Sequence, residues 1–263
     1  MNQPNRPSPI VRLRGIEKTF PNGTHALAGF DLDIGRGEFL SLLGPSGCGK
    51  STVLRLIAGL AQPTAGSIAW SDGEPGRGAD RAIGFVFQEP TLMPWATVAG
   101  NVALPLRLKR AARPKAASRV ARLLERVGLS AFGDAYPRGL SGGMKMRVSI
   151  ARALATNPDM LLMDEPFAAL DEITRFKLNN DLLELWHALG KTVVFVTHSV
   201  FESVYLSQRV VVLAHRPGRV FAEFMIETPY PRGESFRTSS EYAGYCREVA
   251  AALSAASAGG GGP

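Results

Sequence analysis

Apolar residues along this chain fall into two kinds of pattern. Short runs that are continuously apolar, or that alternate with polar residues, predict strands, whereas spacings of three and four residues predict helices. The predicted strands are 10–14, 30–34, 39–43, 66–70, 83–87, 160–165, 192–197, 209–214 and 219–224. The predicted helices are 52–58, a helical stretch within 97–127, then 141–155, 173–188, 200–206 and a short helix from Ser239 or Ser240 to about Leu253.

One glycine-rich stretch between a predicted strand and a predicted helix carries the clearest chemistry. Its residues are Gly44, Pro45, Ser46, Gly47, Cys48, Gly49, Lys50, Ser51 and Thr52. They fit the P-loop pattern, in which glycines let backbone N–H groups point at phosphate oxygens and the following helix adds partial positive charge. Lys50 is suited to reach the phosphates and Ser51 to bind Mg²⁺. We expect Lys50 in an open loop.

The order of the elements indicates an α/β protein with a P-loop NTPase core. Strands that alternate with helices favour a mainly parallel sheet, and the early alternating strands predict an antiparallel β subdomain beside it. The predicted parts are a disordered N-terminus (1–9), a nucleotide-binding α/β core with the β subdomain (10–94 and 151–225), an inserted helical subdomain (95–150) and a C-terminal extension (226–263), disordered from about 254.

Composition limits the location and the partners. No apolar run approaches the ~20 residues of a membrane-spanning helix, and the first residues lack the apolar segment of a signal peptide, so we expect a cytoplasmic chain. The net charge of +7 favours a solvated, arginine-rich surface first, an anionic membrane surface second and nucleic acid a distant third. Cys48 and Cys246 give no disulfide framework and no metal-site spacing. A helix N-terminus can lower a thiol pKa, but we interpret Cys48 as a small residue that fits the loop.

Two acidic residues stand at the end of the apolar strand 160–165, as in a Walker B motif. Asp164 is suited to hold Mg²⁺, and Glu165 is placed to act as a general base on an attacking water. If this pair stood alone in the sequence, the simpler explanation would be that the two acidic residues only cap the end of the strand. The preceding P-loop argues against that explanation here.

A third motif, Leu140-Ser141-Gly142-Gly143, opens a predicted helix. Together with the P-loop and the acidic strand end, it resembles an ABC-transporter ATP-binding cassette, and the resemblance covers about 11–224. It implies an ABC ATPase fold and hydrolysis of ATP with Mg²⁺ as cofactor. It also implies that the serine and glycines of this motif bind the γ-phosphate held by the other subunit, through backbone N–H groups at a helix N-terminus.

Four further residues match the family pattern by position. Gln88 resembles the Q-loop glutamine, which binds Mg²⁺ or water and contacts the membrane partner, and Asp171 resembles the D-loop aspartate at the dimer seam. His198 resembles the switch histidine that contacts the γ-phosphate, and Phe20 the aromatic that stacks on adenine. The alternatives are a satisfied strand-end histidine at His198 and an ordinary core aromatic at Phe20. Catalysis is thus assigned to Glu165, His198 and Gln88.

One departure from the family pattern is Met146, which stands where the family often has Gln. This position is not a phosphate ligand in the family, so we expect ATPase activity to be retained. The segments 84–90, 92–95 and 216–219 resemble the nitrate/sulfonate/taurine importer branch, which also includes importers of pyrimidine vitamin precursors.

The resemblance also implies partners. They are a second copy of the chain in the ATP-bound state, integral membrane permease subunits and, indirectly, an extracytoplasmic solute-binding protein; no nucleic acid is implied. The chain is expected to be peripheral on the cytoplasmic face of the inner membrane. We expect the permease to dock on the Gln88 loop and the helical insert, where Leu92, Met93 and Trp95 are expected to be exposed. The alternative is that these three side chains pack the insert against the core.

Two other classes of function are less consistent with the sequence. Cassettes that act in DNA repair carry a long coiled-coil insert, and those that act in translation carry two cassettes in one chain; neither feature is present. A regulatory cassette without catalysis would be expected to lose Glu165 or His198, and both are present.

Overall fold

The computed structural model describes residues 8–71 and 83–258. They form two compact units, one made of 8–71 and 190–258 and the other of 83–189. The disorder predicted for 1–7 and for 259–263 lies outside the described residues. No helix among the described residues has the length and the hydropathy that a membrane span needs.

Nine strands and eight α-helices are present in the described part of the chain. In chain order they are β1 (Pro9–Thr19), β2 (His25–Gly35), β3 (Phe39–Leu43), α1 (Lys50–Ile57), β4 (Ala65–Trp70), β5 (Ile83–Val86), α2 (Val98–Leu108), α3 (Arg113–Arg126), α4 (Gly142–Leu154), β6 (Met160–Asp164), α5 (Glu172–Leu189), β7 (Thr192–Thr197), α6 (Val200–Leu206), β8 (Arg209–Leu213), β9 (Val220–Met225), α7 (Glu234–Arg237) and α8 (Ser240–Ala258).

The first unit contains strands of two kinds. β1 pairs antiparallel with β2 and β4, which forms the predicted β subdomain. β3 pairs in parallel with β7 and β8, and β9 runs antiparallel to β8. Because β3, β7 and β8 are buried along their whole length, their sequences are mostly apolar and do not alternate between apolar and polar residues. The carboxyl end of β3 leads into the P-loop and that of β7 leads to His198.

A buried arginine links strands of both kinds within this unit. Arg209 of β8 donates from Nε to Glu38 Oε1 at 2.7 Å, and its Nη1 lies 3.1 Å from Glu223 Oε2. Its Nη2 donates to the carbonyl oxygen of Asp33 in β2. The guanidinium is therefore satisfied on all sides, as a buried charge must be if it is not to destabilise the fold.

The second unit is built from β5, β6 and four helices. β5 pairs in parallel with β6, and α2, α3 and α4 pack on one another. α3 buries Val120, Leu123 and Leu124 on one face, as its apolar spacing predicts. Because this unit also includes β5, β6 and α5, it is larger than the predicted helical subdomain 95–150.

The two ends of the described chain are more ordered than predicted. β1 begins at Pro9, inside the segment 1–9 that was expected to be disordered. α8 runs to Ala258, so the boundary of disorder predicted at about 254 is wrong. The reason lies partly in Arg232, which is buried and donates to five backbone carbonyl oxygens, among them those of Val204 and Ser207. These bonds tie the C-terminal extension to the end of α6.

Candidate nucleotide-binding site

The P-loop, residues 44–52, joins β3 to α1 in the first unit. Gly47 and Gly49 have φ angles of 76° and 98°, in the left-handed region where only glycine is free of a steric penalty. A Cβ atom on Gly44 would lie 2.7 Å from Cys48 Sγ. The three glycines therefore permit a tight turn that brings backbone N–H groups to the N-terminus of α1.

Lys50 is the first residue of α1 and is only 4% exposed. Its Nζ donates to the carbonyl oxygens of Gly44 at 2.8 Å and Pro45 at 3.0 Å. The expectation of an open loop is therefore wrong, because the loop's own carbonyl groups hold the ammonium group inside it. Ser51 and Thr52 follow in the first turn of α1.

The turn between β8 and β9 contacts the P-loop through a hydrogen bond and through close packing. Arg216 Nε donates to the carbonyl oxygen of Gly47 at 2.8 Å. The amide of Gly218 donates to Ala26, and a Cβ atom on Gly218 would lie 2.1 Å from the carbonyl oxygen of Cys48. The sequence identified this turn as a branch marker and did not predict its contact with the P-loop. Cys48 is fully buried, in agreement with its interpretation as a residue that fits the loop.

Phe20 lies after β1, in the turn that leads to β2. It is partly exposed, and Lys18 Nζ lies 5.3 Å from the centroid of its ring. Partial exposure weakens the alternative that Phe20 is an ordinary core aromatic.

His198 follows β7 in the same unit and is exposed. Thr197 Oγ1 donates to Glu202 Oε2 at 2.6 Å and accepts from the amide of Ser199 at 3.0 Å. Ser199 Oγ in turn accepts from the amide of Glu202 and caps α6. The hydrogen bonds on both sides of His198 fix the backbone turn that carries it.

Asp164 and Glu165 lie in the second unit. Asp164 is the last residue of β6, and Glu165 has a φ angle of 46°, which is unusual for a residue with a side chain. Its carbonyl oxygen accepts from the amide of Ala168. In the described part of the chain, no cluster of three or more His, Cys, Asp or Glu side chains could hold a metal ion.

Gln88 follows β5 and is exposed. Arg152 of α4 holds the segment after it, because its guanidinium donates to the carbonyl oxygens of Pro90 and Thr91, both at 2.8 Å. Burial lowers the pKa of Arg152. No sequence pattern predicted this contact, since α4 and the Gln88 loop are far apart in the chain.

Asn101 of α2 holds the next part of the same segment. It is fully buried, accepts from the amide of Met93 at 2.7 Å and donates to three carbonyl oxygens between Met93 and Thr97. Trp95 lies within this stretch and is 76% exposed. Leu92 and Met93 are only partly exposed, so the expectation that all three side chains are exposed is confirmed for Trp95 alone.

The motif at 140–143 begins α4, as predicted. Ser141 is the N-cap, and its Oγ accepts from the amide of Met144 at 3.3 Å. Ser141 and Gly142 are exposed, whereas a Cβ atom on Gly143 would lie 2.7 Å from Thr174 Cγ2. The departure from the family pattern, Met146, is a core residue of α4 that is 2% exposed.

Asp171 has a local structural role in the second unit. Its Oδ1 accepts from the amide of Thr174 at 2.9 Å, next to the start of α5. This hydrogen bond lowers the pKa of the Asp171 carboxyl group. The carboxylate is exposed.

The predicted residues are thus divided between the two units. The first unit contains the P-loop, Phe20 and His198. The second contains Gln88, the motif at 140–143, Asp164, Glu165 and Asp171.

Comparison with known proteins agrees with this set of motifs. Residues 27–168 match the family model for ABC transporters. The chain is 50% identical to an uncharacterised ABC transporter ATP-binding protein of Methanocaldococcus jannaschii, over 91% of this chain and 89% of that protein. It is 46% identical to an aliphatic sulfonates import ATP-binding protein of Pseudomonas syringae (86% and 90% covered) and to a taurine import ATP-binding protein of Pelagibacter ubique (81% and 80% covered).

A solved structure also resembles this chain. The dimeric structure of a post-hydrolysis state of an ATP-binding cassette, bound to ADP and Pi, superposes with a TM-score of 0.73 at 37% identity. The match covers 83% of this chain and all of that one. An α/β fold with a P-loop and an acidic strand end defines a P-loop NTPase. Within that class, this chain belongs to the ABC transporter family, as an ATP-binding cassette.

Proposed function

We propose that this chain is the ATP-hydrolysing subunit of an importer and that it works as a pair with separate membrane subunits. The observation that carries the proposal is that each unit presents a helix N-terminus beside glycines. α1 follows the P-loop in the first unit, and α4 follows Ser141 in the second. Both positions suit phosphate groups, because backbone N–H groups and the helix dipole favour anions there.

The nucleotide is assigned to residues of both units. The P-loop amides and Lys50 hold the β- and γ-phosphates, and Phe20 stacks on adenine. Ser51, Asp164 and Gln88 are the residues that would hold Mg²⁺, which neutralises charge on the phosphates when it is bound. Support for Phe20 comes from its partly exposed ring beside Lys18.

Hydrolysis is assigned to Glu165, with His198 and Gln88. Glu165 takes the proton of the attacking water, and His198 holds the γ-phosphate. The left-handed backbone at Glu165 supports this role, because strained residues persist where a side chain must be aimed in a particular direction.

Two copies of the chain complete each site. The exposed Ser141 and Gly142, and Gly143 behind them, bind the γ-phosphate held by the partner copy, while Asp171 lies at the seam. Dimeric cassettes among the similar structures support this arrangement.

The transported solute is assigned to the class that the relatives indicate. Two relatives are named as import ATP-binding proteins for aliphatic sulfonates and for taurine, which favours a sulfonate within the nitrate, sulfonate, taurine and pyrimidine group. An extracytoplasmic binding protein delivers it. The permease docks on the second unit at Trp95, and the chain lies on the cytoplasmic face of the inner membrane.

The test is the variant Glu165→Gln, with Glu172→Gln at an exposed acid of α5 as the matched control. Loss of a general base lowers turnover by about 10²–10⁴-fold, whereas binding of ATP should persist because the P-loop is unchanged. Steady-state phosphate release and binding of a fluorescent ATP analogue measure the two quantities. Turnover near that of the wild type in Glu165→Gln would contradict the assignment.

A further inference from the structure

One segment of the second unit, from the end of α2 through α3, is strongly basic. Residues 107–126 contain eight Lys or Arg residues and one acidic residue, Glu125. Their net charge of +7 equals that of the whole chain. We call residues 107–126 the basic segment. Its cations are Arg107, Lys109, Arg110, Arg113, Lys115, Arg119, Arg122 and Arg126.

Four of these cations form a stripe along α3. Lys115, Arg119, Arg122 and Arg126 are spaced by four, three and four residues, so they lie on one face of the helix. Lys115, Arg122 and Arg126 are exposed. Arg119 is bent towards α4, where its Nη2 donates to the carbonyl oxygen of Leu154 at 3.0 Å.

The charges of this stripe repel one another. Burial lowers the pKa of Arg119, and the nearby charges of Arg122 and Arg126 lower it further. α3 has no acidic residue in its first turn, where Arg113 and Lys115 stand instead, although acidic side chains are the ones that stabilise a helix N-terminus. The ion pairs of the described residues include those of Arg14, Arg147 and Arg209, which lie outside the basic segment. An external anion would relieve this repulsion.

An exposed apolar side chain lies within the same segment. Leu108, at the end of α2, is 76% exposed and stands between Arg107 and Lys109. A leucine surrounded by cations suits the headgroup region of an anionic bilayer, where the charges meet phosphates and the apolar group reaches the acyl boundary. Nucleic acid is less suited to this surface, because the segment contains no aromatic residue on which bases could stack.

We propose that the basic segment docks on the surface of an anionic phospholipid membrane, with lipid phosphates against its lysines and arginines and with Leu108 inserted between headgroups. This goes beyond the proposed function, because it requires neither ATP nor a permease. Such a contact would orient the second unit towards the bilayer.

The experiment measures co-sedimentation of the full chain with vesicles. One set is phosphatidylcholine alone, and the other is equal parts of phosphatidylcholine and phosphatidylglycerol. The wild type should bind the anionic vesicles, and added salt should weaken that binding, because it screens charges at the membrane surface. The quadruple variant Arg107→Gln, Lys109→Gln, Arg110→Gln and Arg113→Gln should bind the anionic vesicles at least about tenfold more weakly, since each basic residue contributes separately near such a surface.

The matched control removes four exposed cations that lie outside the basic segment. It carries the substitutions Arg12→Gln, Arg55→Gln, Lys177→Gln and Arg247→Gln. This control should bind like the wild type, and Leu108→Gln alone should weaken binding severalfold. ATP hydrolysis by the quadruple variant should equal that of the wild type, which shows that the chain is folded and separates this test from that of the proposed function.

Four results would overturn the proposal. The first is equal binding to both kinds of vesicle, and the second is no binding of the wild type to either. The third is an equal loss of vesicle binding in the matched control, which would show that binding depends on the net charge of the chain and not on the basic segment. The fourth is tighter binding of a short DNA or RNA duplex, with no effect of Leu108→Gln, which would assign the basic segment to nucleic acid.

Discussion

Glu165 combines an unusual backbone with the chemistry assigned to it. Its φ of 46° lies in the left-handed region, where a Cβ atom is crowded by the backbone. Such a conformation persists when the surrounding structure enforces it, and it is often found where a side chain has a function. Replacement of Glu165 should therefore abolish activity, whereas only glycine should relieve the backbone strain at this position.

Glu165→Gly should be more stable than Glu165→Ala by about 1 kcal/mol, because glycine adopts a positive φ without the crowding that Cβ causes. Both variants should lose hydrolysis. Urea denaturation measures the difference in free energy of unfolding. The same pair at Lys177, an exposed residue within α5, should show the reverse order by about 1 kcal/mol, because glycine weakens a helix. An alanine variant more stable than the glycine variant at 165 would show that the backbone is not strained there.

Arg216 is expected to act on nucleotide binding through the P-loop. Its Nε bond to the carbonyl oxygen of Gly47 holds one peptide of the loop, and hydrogen bonds from charged groups are among the stronger ones. Arg216→Ala should weaken ATP binding by several-fold to about tenfold, while the melting temperature without nucleotide changes little, because Arg216 is exposed.

The matched control for this prediction is Arg219→Ala in the same turn. The rise in melting temperature with ATP follows the affinity for ATP, so it should shrink for Arg216→Ala and stay at the wild-type value for Arg219→Ala. An equal rise in both variants would leave Arg216 as a surface residue without effect on the nucleotide.

At the residue level, the sequence predicted the chemical role of a residue better than the burial and the hydrogen-bond partners of its side chain. The glycines of the P-loop and the N-cap Ser141 follow from local patterns, and the structure has them as predicted at the starts of α1 and α4. The burial of Lys50 and the contacts of Asn101 and Arg152 were not predictable. They depend on carbonyl groups that the tertiary fold, and not local sequence, brings to those side chains.

At the scale of elements, side chains of two helices hold the segment 88–97 in the second unit. Arg152 and Asn101 bind its carbonyl groups from α4 and α2, and between them Trp95 stands 76% exposed. An exposed tryptophan on a backbone held in this way is typical of a binding surface, because tryptophan is enriched among the residues that contribute most of the binding energy of interfaces.

Trp95→Ala should lower the affinity for the permease by at least about tenfold, because truncation of a central interface residue costs about 2 kcal/mol or more. ATP hydrolysis by the isolated chain should be unchanged. Co-purification with the membrane subunits measures the first quantity and phosphate release the second. Leu60→Ala, another exposed apolar residue, serves as the control. If Trp95→Ala co-purifies with the membrane subunits as well as the wild type does, the permease docks on a different surface.

Most elements were predictable because their signals are local. β3, β7 and α6 match their predicted bounds, since apolar runs and the helix spacing identify them directly. α8 was predicted too short, because its last turns consist of small residues with weak periodicity. Its order follows in part from contacts distant in sequence, such as the amide of His215, which donates to the carbonyl oxygen of Ala256.

At the scale of the whole molecule, the motifs are divided between two compact units. The P-loop and His198 lie in one, and Glu165 and Ser141 lie in the other. The sequence predicted which residues belong to the set, since each motif is short and local. How two copies share them is a property of the assembly, and it stays a prediction.

The claim that this protein binds and hydrolyses ATP at sites shared between two copies is tested most directly by mixing two variants. Lys50→Ala removes the P-loop lysine, and Ser141→Arg blocks the start of α4. With Glu165→Gln added to both chains to prevent turnover, light scattering with Mg-ATP reports the dimer. Neither variant alone should dimerise. The mixture should, because one of its two sites then carries an intact Lys50 and an intact Ser141. Dimers of Ser141→Arg alone, with ATPase activity of the wild-type level in Ser141→Arg chains that keep Glu165, would contradict the claim and leave Ser141 as a helix cap.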